Sequence, residues 1–224
     1  MCDGIFFANA VMFIMQRLFL LLFLWLLASC SRSVFKEKWA KETAPAVFWA
    51  RFETTKGNFD VEIKRELSPA GADRLYQLVK HGFFDSVVFY RVVPKFVAQF
   101  GTADTALEKA WSKFKVADEE VKASNLRGTI SYARSGKETR GTVLFINLVD
   151  NPRLDTINYN GVKGFPVLGK VVEGMQTVDS LYNGYGGTTM NQLDTMYRNK
   201  EVFFKKFPKL DVVKKAYLVR RKNK

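Results

Sequence analysis

The chain has 224 residues, of which 47% are hydrophobic and 25% charged, the make-up of a folded domain with a sizeable core rather than of a disordered chain. Its net charge of +13 suits an anionic partner, either nucleic acid or membrane lipid, but no nucleic-acid motif accompanies the spread of lysine and arginine, so nucleic acid is not expected as a partner. One histidine and two cysteines leave little with which to build a metal centre or a disulfide framework, and none is expected.

Leu18 to Leu27 is an unbroken apolar run of ten residues, preceded by Arg17 and followed by Ala28-Ser29-Cys30. Ten apolar residues suit the core of a secretory signal, whereas a membrane-spanning helix needs about twenty. An uncleaved anchor helix is the alternative, helped by the mostly apolar stretch Ile5 to Ile14 but interrupted at Gln16 and Arg17. Met1 to Ile14 carries no Lys or Arg, so Met15-Gln16-Arg17 makes the better basic start of a signal and marks Met15 as an alternative first residue. Leu27-Ala28-Ser29-Cys30 resembles the lipobox of bacterial lipoproteins. That resemblance implies a signal peptide over residues 1–29, a lipid on Cys30, and a protein held in the bacterial cell envelope, facing the periplasm or the exterior. Residues 30–45, polar and charged, read as the tether between lipid and domain, with Phe35 and Trp39 four apart and able to share a helical face. The domain proper is expected over residues 46–224.

Ala46 to Thr54 and Asn58 to Lys64 alternate in polarity around the turn Thr55-Lys56-Gly57-Asn58, which predicts a β-hairpin with Phe59, Val61 and Ile63 on one face. Ser68-Pro69 predicts a helix start with Ser68 as N-cap, Leu75, Leu78 and Val79 give the buried stripe, and Gly82 stops it. His81 then sits at the C-terminal end, where it suits the helix dipole. Val87 to Gly101 starts as a β-branched and aromatic run and is interrupted by Pro94. By spacing alone Arg91 reads as a surface arginine whose stem lies along apolar neighbours.

Thr102 to Asn125 is a long charged excursion containing Trp111. Strands are predicted over Arg127 to Ala133 and Thr142 to Asn147, separated by a loop with Gly136 and Gly141. Asn151 to Asp155 leads into an Asn/Gly-rich loop, Thr156 to Gly164. Leu168 to Met175 follows, then a helix near Met175 to Tyr182, and the tail Phe207 to Ala216 ends in a closing strand.

Phe89 to Gln99, read as Phe-Tyr-Arg-Val-Val-Pro-x-Phe-x-x-Gln, resembles the catalytic strand of the cyclophilins, the peptidyl-prolyl cis-trans isomerases. Arg127-Gly128 with Ala133, Thr142 to Asn147, and Leu168 to Met175 resemble further motifs of that family, so the likeness runs from about Phe48 to Leu218. It implies a mainly β fold, a closed eight-stranded antiparallel barrel with two capping helices. A barrel of that size is filled with side chains, so the substrate must lie on its outer surface.

The same resemblance implies an isomerase acting on proline-containing polypeptides and assisting their folding as a monomer without cofactor or metal, and with the lipobox-like start it would act outside the cytoplasm. Arg91 would be the catalytic donor and Gln99 its orienting partner. Phe96, Val97, Phe145, Leu154 and Phe165 would form the substrate-binding surface. Tyr90, Val97, Phe100, Arg134, Val143, Arg153 and Phe165 depart from the usual family residues, so the chemical centre is kept while the peptide-holding rim is altered. A proline-peptide binding module or holdase with little turnover is the alternative, and a membrane-bound partner using basic charge alone is a third.

Overall fold

The computed structural model describes residues 35–102 and 105–220. The apolar run, Cys30 and the front of the expected tether lie outside the described residues. Within them no helix is long and apolar enough to cross a membrane.

Strands β1 (Val47–Thr54) and β2 (Gly57–Lys64) form the expected hairpin, paired from Val47↔Lys64 to Thr54↔Gly57. Alternation sends Phe48, Ala50 and Phe52 inward from β1, and Phe59, Val61 and Ile63 inward from β2. Helix α1 (Pro69–Lys80) follows, with Leu75, Leu78 and Val79 buried as the stripe requires. Ser68 does not cap it through its own side chain. Glu119 takes that place from a distant loop, accepting the Ala70 amide at 2.8 Å and the Gly71 amide at 3.3 Å. The Ser68 hydroxyl also donates to Glu119. A carboxylate is the stronger acceptor there and suits the positive end of the helix dipole. Arg140, buried beneath it, holds the same carboxylate at 2.9 Å and Ser68 Oγ at 3.1 Å.

The run expected as one strand after α1 is two: β3 (Val87–Val88) and β4 (Arg91–Val92). The break has a cause at each residue. Phe89 turns its ring into the core, 4.7 Å from that of Phe100, and its amide bonds to the Asp211 carbonyl at 2.9 Å. The Tyr90 carbonyl is taken by the hydroxyl of Thr189, so neither residue pairs within a strand ladder.

Beyond it run β5 (Val97–Phe100), helix α2 (Thr105–Ser112), β6 (Thr129–Tyr132) and β7 (Leu144–Asn147). The short helix α3 (Arg153–Thr156) leads to a hairpin of β8 (Asn158–Tyr159) and β9 (Val162–Lys163) in the Asn/Gly-rich loop. Asn160 and Gly161 both have positive φ there, the conformation a two-residue hairpin turn requires. Then come β10 (Val167–Glu173), α4 (Met175–Asp179), α5 (Leu193–Arg198), α6 (Lys200–Lys206) and the closing strand β11 (Val212–Val219). Helix α4 stops at Asp179, three residues short of the expected end, and the Tyr182 amide is held instead by Asp211 at 2.6 Å.

Among the described residues nine strands form one antiparallel sheet, in the order β3-β11-β1-β2-β10-β6-β7-β5-β4. Its two outer strands, β3 and β4, are neighbours in the chain. The sheet therefore curls round until its ends are joined through Phe89 and Tyr90, by covalent chain rather than by a ladder of hydrogen bonds. Taken together, β3 and β4 make the single strand of the expected eight. The interior is a cluster of rings, with Phe52 stacked on Phe59 at 5.0 Å and Phe84, Phe89 and Phe100 packed around them. Phe100 thus fills the middle of the barrel, which accounts for an aromatic residue where the family pattern has glycine.

Two segments differ from their expected roles. Residues 35–45 of the expected tether belong to the folded unit, because Trp39 is buried and Phe35 lies edge-on to Trp111 at 4.9 Å. The charged excursion is likewise anchored where Trp111, on α2, packs under Arg74 and Phe35.

Candidate active site

Strand β4 is paired with β5 so that Arg91 stands directly opposite Gln99. Both side chains leave the sheet on the same, outer face, as opposite residues in an antiparallel pair must. Arg91 Nη1 donates to Gln99 Oε1 at 3.1 Å, and the guanidinium lies 5.5 Å from the centre of the Phe96 ring. Pro94 and Lys95 turn the chain between β4 and β5, with Lys95 at positive φ, and this brings Phe96 back beneath Arg91. The arginine is therefore held by an amide oxygen and a ring at the border of the pocket.

The pocket floor is a second apolar cluster, separate from the barrel interior, in which Val97, Phe145 and Leu154 are buried with Phe96, Ala133, Ile157 and Phe165 packed on them. Phe145 comes from β7, where it is paired with Gln99, and Leu154 comes from α3. Phe165 meets Phe145 edge-on at 5.8 Å. These groups enclose a cavity of about 330 Å³. Arg91, Gln99, Phe96, Val97, Phe145, Leu154 and Phe165, drawn from widely separated parts of the chain, all line it. Cys30 lies outside the described residues.

Residues that sequence reasoning did not assign also line the cavity. Met190 reaches it from a 3-10 turn, Thr188–Gln192, and Tyr159 from the β8–β9 hairpin. Tyr159 was signalled only by its place in an Asn/Gly-rich loop, and Met190 by nothing local. A larger, polar cleft of about 680 Å³ uses the other part of the same hairpin together with Asp118 to Val121. It has no aromatic floor, so the smaller cavity is the one shaped for a ring.

Several departures from the family pattern have physical accounts. Tyr90 and Val143 do not line the cavity but pack in a cluster with Met196, Phe203, Phe207 and Leu210, where the Tyr90 hydroxyl meets the side chains of Thr102 and Gln99. Burial, and then the neighbouring Tyr197, push the Tyr90 hydroxyl well above its ordinary range, so it stays neutral. Arg134 lies across Phe165, its guanidinium carbon 4.2 Å from the ring centre, and Arg153 stands exposed at the start of α3.

Residues 49–200 match the family described as "Cyclophilin type peptidyl-prolyl cis-trans isomerase/CLD". A peptidyl-prolyl cis-trans isomerase of Acinetobacter baylyi is 31% identical over 133 residues, covering 58% of this chain and 70% of its own. Peptidyl-prolyl cis-trans isomerase A of Dickeya dadantii is 33% identical over 132 residues, covering 57% and 67%. A Cryptosporidium parvum cyclophilin type isomerase shares the fold, with a TM-score of 0.56 at 17% identity over 79% of this chain and 99% of its own. With its motif strand, its curled sheet and most of its length matched, the chain belongs to the cyclophilin-type peptidyl-prolyl cis-trans isomerase family.

Proposed function

We propose that the pocket takes the proline ring of an X-Pro segment on Phe96, Phe145, Leu154 and Phe165, and that Arg91 speeds rotation about the bond before it. Amide resonance sets a barrier of roughly 18–20 kcal/mol to that rotation. Uncatalysed exchange at X-Pro takes roughly tens of seconds or longer. As the bond twists, conjugation is lost, the prolyl nitrogen becomes pyramidal and its lone pair becomes a hydrogen-bond acceptor. A cationic donor fixed beside that nitrogen stabilises the twisted state more than either planar one, which is the requirement for catalysis. A ~10⁵-fold acceleration needs roughly 7 kcal/mol. Rotation breaks no covalent bond, so the chain needs no nucleophile for it.

The observation that carries this reading is the Arg91–Gln99 bond at 3.1 Å beside a ring-sized apolar floor. Gln99 accepts from Arg91 without neutralising it, so the guanidinium is held in place and stays a full cation. Exchange spectroscopy on a proline peptide is the test, with wild type, Arg91→Ala and Arg91→Lys compared and circular dichroism as the folding control. Arg91→Ala is expected to lose at least ~10²-fold in exchange rate. Lysine should rescue only part of it, since an ammonium lacks the planar fork. Equal rates in folded wild type and Arg91→Ala would remove Arg91 from the mechanism, and peptide binding with no exchange in wild type would leave a binding module.

The reading extends to place. A lipid on Cys30 would hold the domain in the bacterial cell envelope, facing the periplasm or the exterior, where it would act on proline-containing polypeptides. Its support is the Leu27 to Cys30 ending after a short apolar run.

A further inference from the structure

The pocket around Arg91 is lined by three guanidinium groups, those of Arg91, Arg134 and Arg153, and by no carboxylate. None of the three forms an ion pair among the described residues. Asp118 is felt by Arg134 but stays beyond ion-pairing distance.

Arg134 is only 8% exposed. Its Nη2 donates to the Val162 carbonyl at 2.8 Å, its guanidinium covers Phe165, and its Nε and Nη1 have no partner. Burial lowers its pKa, the mark of a cation held without enough compensation. An anion bound in the pocket would relieve that. Because the two nitrogens are shielded from solvent, the attraction reaches a ligand first as a field, which low-dielectric walls concentrate. Arg91 is half-buried and Arg153 exposed, so both are open to direct contact.

We infer that this site selects X-Pro segments carrying an acidic side chain within two residues of the proline. The inference rests on the proline-binding reading of the pocket. Phe165, one of the rings assigned to the proline, lies under Arg134, and an extended chain advances roughly 3.3–3.6 Å per residue. A carboxylate one or two residues away from a seated proline therefore falls within reach of this arginine group, whereas a lysine in the same place meets three like charges.

The test uses capped Ala-Pro peptides identical except for Glu, Ala or Lys at one of the two residues on either side of the proline. Affinity is read by NMR titration and turnover, separately, by exchange spectroscopy. At low salt one position should show Glu binding about 10-fold tighter than Lys, with the gap shrinking in 0.5 M salt, roughly as screening of charged partners requires. Arg153→Glu, a surface change that leaves the fold intact, should cut that preference at least ~3-fold. Arg134→Ala should cut it further where circular dichroism shows the variant folded. Equal affinity for the three peptides at every position overturns the inference, as does a preference that ignores both substitutions. Absence of exchange with every peptide removes the isomerase reading alone, because the binding preference is measured without it. Absence of binding by any peptide removes both.

Discussion

Trp39 lies flat against His81, with ring centres 4.1 Å apart and planes 8° from parallel. The contact fastens the segment before β1 to the C-terminal end of α1, where His81 Nε2 also lies 3.2 Å from the Glu42 carboxylate and Gln77 Nε2 donates to the Glu42 carbonyl at 2.6 Å. Trp39→Ala is expected to lower stability by about 3 kcal/mol, the usual cost of emptying a buried aromatic site. Urea unfolding of the domain from residue 35 onward measures it. A change below about 0.5 kcal/mol, the scale of an ordinary surface substitution, would mean that the segment is a free tether in solution.

The Glu119 carboxylate sets a pH dependence. Burial on its own would raise its pKa, but Ser68, the Ala70 amide and Arg140 together hold it below the ordinary 4.5. A carboxyl depressed in the folded state contributes stability above its unfolded value and loses it as pH falls through the folded one. Wild type should therefore weaken below about pH 4.5 more steeply than Glu119→Gln. Glu119→Ala should cost about 3 kcal/mol at neutral pH, since it leaves the buried Arg140 unpaired and the start of α1 uncapped. Parallel denaturation curves for wild type and Glu119→Gln from pH 3 to 7 would disprove the assignment.

The amide of Gln99 matters because it is neutral. Gln99→Glu would give Arg91 a charged partner and a stronger, shorter hydrogen bond. The exchange rate should then drop about 10-fold, or roughly 1.4 kcal/mol in the barrier, while peptide affinity changes little and thermal stability holds or rises. Loss of rate and of stability together would point to a packing role instead.

Much of this site was legible in the sequence because the Phe89 to Gln99 stretch ties residue type to chemistry at fixed spacing, and because β1 and β2 alternate plainly. What was not legible depends on partners far away in the chain. Ser68-Pro69 marked the start of α1, but nothing local showed that Glu119, about fifty residues on, would cap it. The Val87 to Val92 run had strand propensity throughout, and it was Asp211 and Thr189 that broke it. Lys36 to Lys38 and Lys41 are solvated as they read, and it is the burial of Trp39 against α1, with Phe35 half-buried on Trp111, that ties the segment to the domain. The sequence marked Tyr90 and Val143 only as departures from the family pattern, and their packing partners Met196 and Phe203 come from helices far along the chain.

Lipid attachment is tested at Cys30. Cys30→Ser should leave the protein unprocessed or release it from the membrane fraction, and should abolish labelling by a fatty acid. Equal labelling of wild type and variant would exclude the cysteine as the anchor.

The covalent seam at Phe89 and Tyr90 has a bearing on how a protein of this kind meets unfolded chains. An open sheet offers a row of bare amides and carbonyls at each border, on which another polypeptide can build a further strand. Here the two border strands are two residues each, and between them the Phe89 amide and the Tyr90 carbonyl are spent on Asp211 and Thr189. A stretched client would find no regular ladder to join at the seam, so on the proposed reading it would be gripped by its proline and side chains and could leave again without peeling a strand from the barrel.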